Sequence, residues 1–433
     1  NISLSHSWGT SVSNNAALGG TLYEAYKFQS ITPVKNLEDE YAGNVFSDIP
    51  NPMGKLYRNK DNRDKKSRLV GNLYAELHLF DGFMFKTSFG VDYNNLYRRS
   101  FSPKYDELNA SEKLSSLSNR NAWNFNWVFT NTLTYNKTFG DHTINALLGM
   151  ESLKNRYEYF TASRDGFPSD DPNFRFLDAG DVGTQKNSGA ATEYSMVSYF
   201  GKIDYNYHDR YLVAFTLRRD GSSRLGNNKW GNFPAASVGW RISNEPFFDV
   251  EGISNLKVRV GWGQNGNSDV PSYATIDSYK SNSTNSNYPI DGNQSGVDLG
   301  LVQTRNGNVN LKWETTTQTN VGVDLGFLNG DLNLTLDLLW RRALPASIGG
   351  TNMTVWDNVG KMNNKGFEME INYQKQINQD FGFSVAYNFS VIKNKMTELN
   401  GVDYIGLSSS ELHGRNFDQE TSRSAVGQPI GSF

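Results

Sequence analysis

Apolar and polar residues alternate along most of the chain. From residue 69 one face reads Leu69, Gly71, Leu73, Ala75, Leu77 and Leu79, and the other reads Val70, Asn72, Tyr74, Glu76 and His78. Asp81-Gly82 follows, a strong two-residue hairpin signal. The return segment places Phe83, Phe85, Thr87, Phe89, Val91 and Tyr93 on one side and Lys86, Ser88, Gly90, Asp92 and Asn94 on the other. A period of two sustained over about a dozen residues predicts β-strand, not helix.

The unit recurs. Trp123, Phe125, Trp127, Phe129, Leu133 and Tyr135 alternate with polar residues, turn near Gly140-Asp141 and return through Ile144, Ala146, Leu148 and Met150. Tyr199, Ile203, Tyr205 and Tyr207 pass through His208-Asp209-Arg210 into Tyr211, Val213, Phe215 and Leu217. Val238 and Trp240 precede Leu256, Val258, Val260 and Trp262. Residues 313–327 turn at Asn329-Gly330 into Leu332, Leu334, Leu336 and Leu338. Phe367, Met369, Ile371 and Tyr373 turn near Asp380 into Phe383, Val385, Tyr387 and Phe389. The reading yields about twelve strands, with more expected within residues 1–60.

Length decides between architectures. The alternating stretches run about 9–14 residues, whereas a strand in a globular sandwich has about 5–6. A tilted strand needs about 9–11 residues to cross an apolar band about 25 Å tall. Loops separate in the same sense: 81–82, 208–210 and 328–331 are short, and 95–122, 153–193 and 264–312 are long. Alternating short and long connections lie at opposite ends of the strands, as in transmembrane barrels. The expected fold class is therefore all-β, a large antiparallel transmembrane β-barrel. Polar stretches such as 281–295 are expected to be external loops.

Composition agrees with this reading. Across 433 residues only 37% are hydrophobic, mean hydropathy is −0.58, and no run of about 18 apolar residues exists, which excludes a helical membrane protein. Aromatics reach 13%, too many for a disordered chain and suited to strands that face lipid at every second residue. The 42 basic and 45 acidic residues give a net charge of −3, without the basic excess of a nucleic-acid binder. With no cysteine, disulfides and thiolate metal sites are excluded.

Three blocks resemble the SusC/RagA family of TonB-dependent transporters. Tyr199-Phe200-Gly201-Lys202 leads through Tyr211-Leu212 to Arg219-Asp220-Gly221-Ser222-Ser223-Arg224-Leu225-Gly226, then to Phe233-Pro234-Ala235-Ala236-Ser237-Val238-Gly239-Trp240-Arg241-Ile242-Ser243-Asn244-Glu245-Pro246-Phe247. Leu311-Lys312-Trp313-Glu314-Thr315-Thr316 with Gln318-Thr319-Asn320 is similar to the next block. Asn358-Val359-Gly360 with Asn364-Lys365-Gly366-Phe367-Glu368 resembles the third. The resemblance implies a 22-stranded barrel in the outer membrane, an N-terminal plug, energy from the TonB complex and a SusD-like surface lipoprotein as lid. It also implies oligosaccharide or peptide substrates.

Against that pattern, residues 1–433 are expected to be a partial barrel, without the plug or the last strands. Val426-Gly427-Gln428-Pro429-Ile430-Gly431-Ser432-Phe433 resembles an internal stretch of the family and not a closing strand. Trp340-Arg341-Arg342 passes to Ala343-Leu344-Pro345 without the usual loop. That departure suggests a segment missing between 342 and 343.

Candidate chemistry is sparse. Arg219, Asp220 and Arg224 belong to a turn that either touches ligand or simply holds a strand end to its loop. Trp230 and Trp356 lie in expected loops, where they either stack on a sugar ring or pack locally. Other Trp and Tyr residues are expected at the two membrane interfaces. Asp165, Asp170, Asp171 and Asp178 supply oxygen ligands for a loop Ca²⁺, although a solvated acidic loop is the plainer reading; no other cofactor is expected. Gly261-x-Gly263-x-x-Gly266 formally matches a dinucleotide fingerprint but lacks a following helix. The five histidines are scattered, and no catalytic or zinc-binding set emerges. Active import without covalent chemistry is the leading expectation, with a passive porin or, further off, an outer-membrane hydrolase as the alternatives.

Overall fold

The computed structural model describes residues 2–11, 20–281, 300–343, 356–358, 360–399, 401, 403–407 and 422–432. Most of the expected loop 281–295 lies outside these residues, as do Val359, His413 and Phe433. Thirteen strands form one sheet in which sequence neighbours pair throughout. They are β1 (Ile2–Ser11), β2 (Arg63–Phe80), β3 (Phe83–Ser102), β4 (Ser116–Phe139), β5 (His142–Asp165) and β6 (Lys186–Tyr207). β7 (Tyr211–Ser222), β8 (Trp230–Arg241), β9 (Ile253–Asn267), β10 (Glu314–Phe327), β11 (Leu332–Ala343), β12 (Lys361–Gln376) and β13 (Gly382–Glu398) complete it. Pairing is antiparallel between β1 and β2 and at each step from β6 to β13.

The register keeps the expected faces together. Phe215 stands opposite Ile203 on β6 and Ala236 on β8, while Ala214 stands opposite Asp204 and Ser237. Apolar residues thus meet apolar neighbours on one face and polar ones meet small or polar neighbours on the other. Hairpins sit where expected, with Gly82, Gly140, His208, Asp209 and Asn329 at positive φ. The Gly-rich run 261–266 lies within β9, so no helix follows to receive a phosphate.

Two expectations change. The described residues of 1–60 contain one sheet strand and two helices, α1 (Thr21–Lys27) and α2 (Pro52–Arg58), where further strands are expected from the sequence. α2 starts where it does because the Asn51 side chain accepts from the Met53 and Gly54 amides, and Pro52 enters at a position that needs no amide donor. Second, β2 to β6 run 18, 20, 24, 24 and 22 residues, longer than expected. Much of 95–122 and 153–193 is therefore strand: about 9–11 residues suffice to cross the apolar band, and in the remainder polar residues fall on both faces and interrupt the alternation. β11 runs to Ala343, with Arg342 and Ala343 paired to Asn363 and Met362, and residues 344–355 lie outside the described residues.

Packing separates two compact units. The first comprises 1–74, 88–129 and 153–193, and the second 75–87, 130–152 and 194–433. Phe101, Leu117 and Phe167 form the buried cluster of the first, with Phe101 and Phe167 edge to face at 5.5 Å. Leu225, Phe233, Val270, Ala274, Leu311 and Trp313 form that of the second.

Candidate functional site

On the polar face of the second unit, small residues leave room for large polar ones. Ala214, Ser237, Gly239 and Gly261 line a groove of about 470 Å³, into which Asp204, Lys257, Arg259 and Asn320 bring their polar groups. Gly322 is the clearest case: a Cβ there would lie 2.6 Å from Arg259 Cζ and 2.6 Å from Asp337 Oδ1. Its absence lets Arg259 lie across the sheet, donating through Nη2 to Asp337 Oδ2 at 2.7 Å and pairing with Asp324 at 3.3 Å. Arg218 makes a second crossing, binding Asp220 at 2.7 Å, Ser198 Oγ at 2.8 Å and Glu151 at 3.4 Å. Charges held flat in this way leave a wet wall of alternating sign. Hydrogen-bonding groups placed along such a wall suit a polar solute.

The three signature blocks converge at the ends of β7, β8 and β10. Leu225, Phe233, Leu311 and Trp313 bury one another, and Met196 and Trp356 pack on them. Backbone clips close the cluster: the Asn227 amide donates to Val309 O at 2.8 Å, Trp313 Nε1 to Lys229 O at 2.9 Å, and the Lys312 amide to Asn358 Oδ1 at 2.9 Å. Gly226 is required at this joint, since a Cβ would sit 2.4 Å from the Val309 carbonyl oxygen.

The candidate ligand residues fall around this joint, and each has a protein partner. Asp220 is buried and bound to Arg218. Arg224 pairs with Asp269 at 2.6 Å and lies over the Tyr194 ring at 3.9 Å. Trp356 packs on the cluster, and its carbonyl accepts from Asn308 Nδ2. Trp230 is placed on β8, not in a loop. It projects from the apolar face, stacked on Tyr199 at 6.2 Å with Arg219 5.1 Å from its centroid. Ten residues along the same face, Trp240 donates to Glu245 at 2.9 Å. Hydrogen bonds from Tyr211 and then Trp240 hold the Glu245 carboxyl below its ordinary range. Two tryptophans ten residues apart on a strand tilted about 40° stand about 25 Å apart along the normal, the height of an apolar band. Sequence reading missed this pairing because Trp230 falls among polar residues.

The acidic residues at 165–178 separate. Asp165 pairs with Lys186, Asp171 caps the turn at Asn173, and Asp178 pairs with Arg164. Among the described residues no group of three or more His, Cys, Asp or Glu is placed to hold a metal ion.

In the first unit, Asp64 forms a bidentate pair with Arg98 at 2.7 and 2.6 Å, beyond the apolar row that begins at Leu69. Hydrogen bonding from Arg98 holds the Asp64 carboxyl below its usual value. The folded-state pKa is lowered, so the pair stabilises fully above the ordinary carboxylate pKa of about 3.9. That contribution is lost as pH falls through the lowered value. Asp64→Asn is expected to flatten the acid limb of stability in urea titrations at stepped pH; an unchanged limb would remove this assignment.

The family described as TonB dependent receptor-like, beta-barrel, matches residues 7–429. TonB-dependent receptor P3 of Formosa agariphila is 34% identical over 98% of this chain and 42% of its own length. TonB-dependent receptor SusC of Bacteroides thetaiotaomicron is 29% identical over 93% of this chain and 40% of its own. The RagAB peptide importer in its open-open state superimposes with a TM-score of 0.81 at 21% identity, covering 99% of this chain and 46% of that one. The chain thus spans about two-fifths of the length of the curated relatives it matches. It belongs to the TonB-dependent receptor-like β-barrel family.

Proposed function

We propose that this chain is the barrel wall of an outer-membrane importer for oligosaccharides or peptides, energised by the TonB complex and working with a SusD-like surface lipoprotein. The observation that carries the reading is the division of the sheet. One face is apolar, bounded by Trp230 and Trp240, and the other is lined with polar groups held flat by small neighbours. Family membership over nearly the whole chain supports it, as does a relative named SusC. The apolar face meets lipid and the polar face the passage, where solute moves by exchanging hydrogen bonds with side chains and water, without a covalent step.

Two measurements test this. Mass spectrometry of the mildly solubilised complex is expected to find a stoichiometric surface lipoprotein. Uptake of radiolabelled oligosaccharide or peptide by whole cells is expected to stop when a protonophore collapses the inner-membrane potential. A barrel that purifies alone and conducts solute unaffected by the protonophore is a passive porin, and the proposal fails.

A further inference from the structure

Away from the sheet face described above, the first unit presents an open cavity of about 610 Å³ between α2, the hairpin Tyr105–Glu107/Ala110–Glu112 and the segment 170–175. Tyr41, Tyr57 and Tyr105 stand in its wall. Tyr57 is 56% exposed, 6.0 Å from Tyr41, with Lys60 over its ring at 3.8 Å. Tyr105 carries Arg58 over its ring at 3.9 Å. The floor is rigid. Glu107 is buried, accepting from Arg58 at 2.5 Å and from the Asn51 amide at 2.6 Å. Arg175 is fixed by Asp61 at 3.3 Å and the Asp170 carbonyl at 2.7 Å.

Charge narrows the choice of ligand. Arg58 and Arg175 are neutralised by Glu107 and Asp61, and Asp106 pairs with Lys113 outside the lining. Lys60 and Lys104 remain on one side of the balance and Glu40 and the Asp170 carboxylate on the other. A wall with no surplus of either sign favours neither an anionic nor a cationic ligand by its net charge. It does present aromatic faces beside charged donors and acceptors, the chemistry that holds the C–H face and the vicinal hydroxyls of a sugar. The volume falls within the range of small-molecule sites, about 300–1,000 Å³.

We propose that this tyrosine-walled cavity is a capture site for a short neutral oligosaccharide, which selects glycan over peptide within the import reading on which it rests. Titration calorimetry on the full transporter, purified with its partner, tests it with malto-, cello-, xylo- and β-1,3-gluco-hexaoses and with a mixed-sequence hexapeptide pool. At least one hexaose is expected to bind. Tyr57→Ala is expected to weaken it by about tenfold or more, as truncating a central aromatic contact does, and Tyr57→Phe to bind as wild type does. Binding of the peptide pool alone, no hexaose bound, or hexaose binding indifferent to both Tyr57→Ala and Tyr105→Ala each overturns the proposal. Cellular uptake of the bound hexaose separates the two readings. Binding without uptake removes the importer and keeps the cavity; uptake and binding both unaffected by Tyr57→Ala and Tyr105→Ala remove the cavity and keep the importer.

Discussion

Phe215→Arg is expected to destabilise the protein in a bilayer by about 2–4 kcal/mol, while Ala214→Arg one residue away costs far less. Phe215 is 49% exposed on the apolar face, midway along the stretch of β7 paired with β8 between Trp230 and Trp240, so its side chain meets the hydrocarbon near the midplane. A guanidinium there loses its hydration and finds no anion within reach. Ala214 points to the wet face, opposite Asp204, which can pair with the new charge. Equilibrium unfolding in phospholipid vesicles measures both; equal costs would show that the two faces have been misassigned.

Leu311→Ala is expected to cost about 2–5 kcal/mol, the range for emptying a fully buried leucine site. Leu311 has no exposed surface and packs among Leu225, Phe233 and Trp313. The joint cannot collapse around the cavity easily, because the Asn227–Val309 and Trp313–Lys229 hydrogen bonds hold its segments apart. Loss is expected to be local, so limited proteolysis between residues 268 and 313 should quicken more than the sheet unfolds. Leu301→Ala, at a site 72% exposed, is the control and should stay within about 0.5 kcal/mol. Equal proteolysis of the two variants would remove the cluster's assigned role.

The candidate ligand residues show where inference from motifs stops. Arg219, Asp220 and Arg224 stand out in the sequence as residues of a turn and Trp230 and Trp356 as loop aromatics, and in the structure all five fall around one joint with protein partners. Nothing in the local pattern marks that convergence, since Leu225 and Leu311 lie far apart in sequence and meet only when β7, β8 and β10 pair. The cavity walled by Tyr41, Tyr57 and Tyr105 was equally hidden. Its rings come from a loop, a helix and a short hairpin whose sequences show no common period.

Alternation with period two is a local property, and the sequence alone therefore determined the all-β class, the hairpin positions and which residues of the alternating stretches share a face. Turn chemistry is local as well, which is why Asp81-Gly82 and Asn329-Gly330 were legible. Tertiary structure decided what depends on neighbours distant in sequence. It extended β2 to β6 past the apolar band, where Phe101 and Leu117 are buried with Phe167, a contact between residues distant in sequence. It also set two helices among the first sixty residues and aligned Trp230 with Trp240 as the borders of one apolar face. A side chain's face follows from its own strand, but its partners follow from the register between strands, which no single segment encodes.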